Sequence, residues 1–339
     1  MRSHLVRTLA PALVALLLNA GGATQGLTFA ITSDQDSGQG TLRWAIEQAN
    51  RVAAQASPGN RISLTFASGL AGRTVTLRSF LPYLLASHVT FAVAGTNPAP
   101  VTIDTGTGTG TVLVVTGDDV VFQDLVFHKP ASSNFPGDNV ILVGARGTRF
   151  VRCRFTNPVD AGIFAVGAPH TTVQDCRFET TGRGAGILAQ DGSDHFRAER
   201  CTFSGFTNGA GFAAAGIADV VVRDSTFTGN RTALLLVEVC RSVVFGPGNR
   251  ITGNLTMAID ASTVAPTRFE DPGDVGLRVT ETTITGSGSS AILLQDRCTR
   301  VVIEKSVFDG NGANDGAAQI ASVGCGSVTL VENVIRNGR

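Results

Sequence analysis

The sequence predicts an all-β solenoid, a parallel β-helix closed at its N-terminal end by one α-helix. Three observations carry this. A unit of the form apolar-x-apolar-x-charged-small-x-Phe recurs from Val120 onward, as in VVFQDLVF (120–127), TRFVRCRF (148–155), TTVQDCRF (171–178) and VVVRDSTF (220–227). Its anchor falls at Phe127, Phe155, Phe178, Phe203, Phe227, Ile251, Ile284, Phe308 and Ile335, mostly 23 to 28 residues apart, the period of a solenoid coil. Each unit also carries a second apolar strand, such as AGIFAVG (161–167) or AGILAQ (185–190), separated from the first by Gly, Asn, Asp and Ser turns. No single coil of this kind buries its own apolar face, so stability comes from the stack.

Taken in chain order, residues 1–23 read as a secretory signal: Arg2 and Arg7, an apolar stretch from Leu9 to Leu18, then small residues up to Ala23. Its removal takes the formal balance from 27−27 to 25−27 and places the mature chain outside the cytoplasm, in the periplasm or at the cell surface. Residues 24–59 follow as an N-terminal strand and a capping helix, and 60–339 as the β-helix. In the helix, expected over 41–55, Leu42, Ala45, Ile46 and Ala49 recur at i, i+3, i+4 and i+7 and form one apolar face. Such a helix shields the open strand edges at the end of a parallel stack.

Aligning the units on their anchor assigns each side chain a direction. The anchor and the residues two, five and seven before it point inward. The residue three before it faces outward at a turn and reads Asp124, Arg152, Asp175, Arg200, Asp224 on successive coils. Opposite charges at coil spacing attract, which predicts an ion-pair ladder that fixes register. The position two before the anchor holds Cys153, Cys176 and Cys201, then Ser225; these thiols are expected to be buried and free, with Cys298–Cys325 the best disulfide candidate. Gly-Asn turns at Asn230, Asn254 and Asn311 predict amides hydrogen-bonded from coil to coil, in preference to glycosylation of the two sequons that Asn230 and Asn254 begin.

Composition excludes other classes. With 16% charged residues, 40 Gly and zero formal net charge, neither disorder nor nucleic-acid binding is expected, and no run in the mature chain is long enough for a transmembrane helix. No cofactor and no metal site are expected, because the aligned thiols lack interleaved His or acidic ligands.

Two insertions thicken the turns, where loops carry function. The first, 128–138, brings His128, Lys129 and Asp138 near Asp160 and Arg183 of neighbouring turns; all five are candidate ligand-binding residues, and Lys129, Asp138 and Asp160 are candidate catalytic ones. As turn residues they are expected at the surface. The second, 264–273, holds Arg268, Glu270 and Asp271.

The segment ITSDQDSGQGTLRWAIEQAN (31–50) resembles the N-terminal region of secreted bacterial β-helix proteins with a Gly-Thr-Leu-Arg-x-Ala-Ile (CSLREA-like) cap motif, matching at Asp36, Ser37, Gly38, Gly40, Thr41, Leu42, Arg43, Ala45, Ile46, Ala49 and Asn50. The resemblance implies a pectin-lyase-like right-handed parallel β-helix, a class that includes surface adhesins, autotransported passengers and carbohydrate-active enzymes. Residues 137–157 are similar to a pectate-lyase stretch at Asp138 and Cys153, but Val151 and Arg152 stand where that pattern has Asp and His. Two function classes follow. One is a secreted or cell-surface scaffold, adhesin-like or polysaccharide-binding, whose partner is an extracellular polysaccharide or a cell-surface component. The other is a polysaccharide lyase or glycoside hydrolase.

Overall fold

The computed structural model describes residues 27–106, 110–130, 137–271 and 273–337; the expected signal segment lies outside them. Strands of three to six residues, all paired in parallel, build three long sheets. Sheet A has twelve strands, from Thr28–Ile31 to Val328–Val331; sheet B has eleven, from Thr74–Thr76 to Val334–Arg336; sheet C has nine, from Leu113–Val115 to Ile320–Ser322. The chain runs A, B, C and returns to A one coil on.

The helix covers Leu42–Arg51 and buries Leu42, Ala45, Ile46 and Ala49, the face expected from the spacing. Thr41 caps it by accepting the Trp44 N–H. It is shorter than 41–55 because the Val52 N–H bonds to the carbonyls of both Gln48 and Ala49, tightening the chain into a 3₁₀ turn at Ala53–Gln55. The motif residues explain how the cap is held. Arg43 pairs with Asp36 at 2.8 Å and donates to the carbonyls of Ser79 and Phe80, and Asn50 donates to the Tyr83 carbonyl and accepts from Leu85 N–H.

Inside the stack the anchors form one column. The rings of Phe155, Phe178, Phe203 and Phe227 lie parallel, with centroids 4.6, 4.8 and 4.7 Å apart. A second column in sheet A stacks Phe91, Phe122 and Phe150. Burying one such ring stabilises the stack by about 1.5–3 kcal/mol. Space for the rings comes from the glycine of each AGI or AGF strand: a Cβ on Gly186 would lie 2.6 Å from the Phe203 ring and 2.4 Å from the Gly211 carbonyl oxygen.

On five successive coils one residue in the left-handed region lies between sheets A and B, with φ between 51° and 56° at Asp124, Arg152, Asp175, Arg200 and Asp224. Ion pairs join Arg152 to Asp124 and Arg200 to Asp175. The next residue's N–H has no ladder partner at this corner. The side chain one coil on accepts it: Cys176 Sγ from Cys153 N–H, Ser225 Oγ from Cys201 N–H, Asn249 Oδ1 from Ser225 N–H. The inward cysteines therefore act as hydrogen-bond acceptors as well as packing. At the turn from sheet B to C, Asn230 and Asn254 are 0% and 2% exposed and bond across coils, which removes them as glycosylation acceptors. All six cysteines are free thiols, Cys298 and Cys325 included. The disulfide expected between those two is absent, and Cys298 Sγ instead donates to the carbonyls of Ala261 and Gln295.

Candidate functional site

The residues flanking each anchor point outward from sheet B, and on six successive strands they line a groove of about 870 Å³. At roughly 4.8 Å per strand it runs about 24 Å along the solenoid axis. Thr74 and Thr102 lie toward its N-terminal end, Ser204 at the other, and Asn157, Thr180 and Thr181 form its wall at the turn leading to sheet C.

A charged cluster gathers on Glu179, on the fifth of these six strands. This carboxylate accepts from the Arg154 guanidinium of the coil before and forms an ion pair, at 2.7 Å, with Arg177 Nε two residues earlier on its own strand. Glu179 is largely shielded, while the Arg154 and Arg177 side chains remain 50% and 59% exposed. A guanidinium has five N–H donors in a planar fork, so both arginines keep donors for a carboxylate or a sugar hydroxyl after pairing with Glu179. Beside them His128 Nδ1 lies 2.6 Å from Thr156 Oγ1, and Asp104 is the strand neighbour of His128.

Of the residues expected from the insertion, His128 alone lines this groove. Lys129, Asp138 and Asp160 do come together, but at the turn from sheet B to sheet C. Lys129 is 0% exposed, and its ammonium donates to the carbonyls of Gly110 and Gly137. Burial lowers its pKa, against the raising effect of Asp160 and Asp138. Asp138 is 7% exposed, and burial first, then the Asp160 carboxylate, push its pKa up to about 7 although the Ala161 N–H and Lys129 act the other way. The surface position expected of turn residues thus holds for Asp160 and Arg183, which are exposed, and not for Lys129 and Asp138. Lys129 is buried because the turn of the preceding coil offers it carbonyl oxygens. No ion pair joins Arg183 to the others among the described residues.

The second insertion is tied down from within. Arg300 donates to the carbonyls of Phe269 and Asp271, and Asp274 accepts from Ser242. No cluster of three or more His, Cys, Asp or Glu able to hold a metal ion occurs among the described residues. No helix among them is long and apolar enough to cross a membrane.

The groove residues Arg154 and Glu179, and Arg177 paired with Glu179, escape a search confined to insertions. Their signal is the pair of polar residues around the anchor, RFT at 154–156 and RFE at 177–179.

This geometry agrees with what the chain is similar to. A family profile described as a right handed beta helix region matches residues 101–256. The chain is a right-handed parallel β-helix. No curated protein matches it significantly in sequence, and the resemblance to solved structures is one of fold. The Streptococcus pneumoniae surface protein and adhesin PfbA superposes with a TM-score of 0.61 at 11% identity, over 92% of this chain and 98% of that one. The A-module of the Azotobacter vinelandii mannuronan C-5 epimerase AlgE6 gives 0.59 at 13% identity, over 92% and 94%. An alginate lyase from a Paenibacillus species gives 0.54 at 14% identity, over 91% and 99%.

Proposed function

We propose that this β-helix is an extracytoplasmic scaffold that binds an acidic polysaccharide along the outer face of sheet B. The observation that carries the reading is the Arg154–Glu179–Arg177 cluster, whose Arg154 and Glu179 stand on the fourth and fifth strands of an axial groove. Two half-exposed guanidiniums there flank one shielded carboxylate, and threonine hydroxyls lie on either side. The arginines suit a uronate carboxylate, and the hydroxyls suit the sugar ring. A linear glycan lying along the axis meets a new row of side chains at each coil. Fold-level similarity to an adhesin, an epimerase and a lyase is compatible with this and does not choose among them. The leader expected at residues 1–23 supports export, and the residues assigned to binding become Arg154, Arg177, Glu179 and His128.

A second reading, as a polysaccharide lyase or glycoside hydrolase, is favoured by one observation. Asp138, with a pKa near neutrality beside Lys129 and Asp160, holds a proton available to acid–base chemistry. Its burial argues for a structural role. The test is to incubate the full chain with a panel of acidic and neutral polysaccharides and to measure retention, unsaturated products and new reducing ends. Retention of polyuronates without products supports the scaffold; products that Asp138→Asn abolishes support the enzyme.

A further inference from the structure

The outer face of sheet C is apolar where a solvated sheet face is ordinarily polar. One outward column reads Ile141, Phe164, Leu188, Ala213 and Leu235 on consecutive strands, in register. The parallel column two residues on contains Val143, Val166, Ala215 and Val237, with Gln190 among them. Val143 is 46% exposed and Val239, at the strand-end turn, 38%, while Ala213 and Ala215 are shielded between their larger neighbours. Contiguous apolar surface on this scale marks an interaction site.

At two levels of the stack the two edges of this face carry opposite charge. Where the strands begin, Arg183 and Arg231 are exposed; where the same strands end, Asp191 and Glu238 are exposed. Arg183 and Asp191 bracket the strand Ala185–Gln190, and Arg231 and Glu238 bracket Thr232–Val237. Within one copy each pair is separated by the strand length, about 20 Å or more, so it does not close on itself. Asp138, Asp160 and Asp260 are acids at or beside the edge that carries these arginines; the opposite edge holds Arg146 at the level of Asp138, Gly167 at the level of Asp160 and Arg241 beyond Glu238.

We infer that sheet C is a homodimer interface in which two copies pack face to face about a two-fold axis parallel to the solenoid axis. That axis maps each edge onto the opposite edge at the same level. Arg231 then meets the partner's Glu238, Arg183 meets the partner's Asp191, and the apolar columns face each other. The alternative in-plane two-fold, along the strands, sets each edge against itself and keeps Arg183 and Arg231 away from the partner's Asp191 and Glu238. A depression of about 240 Å³ at the edge where the strands begin, lined by Arg231, Leu235, Met257 and Asp260, lies at the level where the partner's Val239 and Glu238 arrive. Six-residue strands over five coils span about 20 by 25 Å, and two such faces bury around 1,000 Å², enough for a specific if modest contact. Sheet B and its groove stay open in this dimer, so the inference stands independently of the glycan reading.

The test is sedimentation velocity or light scattering on the full chain across concentration. Dimers are expected below about 100 μM. Leu235→Arg should give monomers with unchanged far-UV dichroism. Arg231→Glu alone should weaken the dimer ~10-fold or more, and Arg231→Glu combined with Glu238→Arg should restore it. A wild type that stays monomeric up to that concentration overturns the inference. So does a double exchange that is no tighter than Arg231→Glu alone, because the two-fold arrangement requires recovery.

Discussion

Arg152 grips Asp124 of the preceding coil through two parallel bonds, Nε to Oδ1 and Nη2 to Oδ2, each 2.7 Å, while both residues hold left-handed backbone at the corner between sheets A and B. Left-handed backbone is unfavourable for arginine, and the bidentate clamp helps offset that cost. With the Arg152 side chain 55% exposed, the net contribution is small. A double-mutant cycle of Arg152→Ala and Asp124→Ala should give a coupling of about 0.5–1 kcal/mol that shrinks as salt is raised.

Gly186 tests the packing of the anchor column. Alanine there has to displace the Phe203 ring or the Gly211 carbonyl, so Gly186→Ala should destabilise by about 1–3 kcal/mol or more despite its smallness, read as a shift in denaturant midpoint. Phe203→Ala in that background should then cost less than in wild type, since the ring that clashes is gone.

Asp138 gives stability a pH dependence with a defined sign. Its folded-state pKa, about 7, lies above the ordinary value of 3.8, so the folded state favours the protonated form. The stabilisation is complete below 3.8 and is lost as pH rises through 7. Asp138→Asn, which keeps a neutral acceptor, should melt like wild type near pH 3.5 and above it at pH 8. The gain is at most about 4 kcal/mol. Equal shifts at both pH values would contradict a buried, proton-holding carboxyl.

The inward thiols should be inert in the folded protein. Burial pushes the Cys201 thiol up to about 12 and raises Cys176 well above its usual range. Native-state alkylation with mass mapping should leave Cys153, Cys176 and Cys201 unlabelled until denaturant unfolds the coils, and rapid native labelling would contradict their inward placement.

Most of the architecture was legible in the sequence because a solenoid repeats one local rule. The anchor at Phe155 or Phe178, the inward Cys two residues earlier and the outward charge three earlier follow from strand alternation at a fixed period. What escaped depends on neighbours that the repeat does not name. Lys129 reads as a turn charge, yet carbonyls of Gly110 and Gly137 draw it inside. The anchor gives no side-chain directions to second strands such as AGIFAV, whose Phe164 and Val166 project from the outer face of sheet C. The groove was overlooked because Arg154 and Arg177 sit within regular coils, and only their register across one coil step brings both onto Glu179.

The central claim is that the Arg154–Glu179–Arg177 cluster binds an acidic glycan, and calorimetric titration of the full chain with an oligouronide tests it most directly. Arg154→Gln combined with Arg177→Gln should weaken binding ~10-fold or more with the melting temperature nearly unchanged, because both side chains are half exposed on the outer face. An affinity equal to wild type in that variant, with the fold intact, would contradict the assignment of the sheet B groove as the binding site.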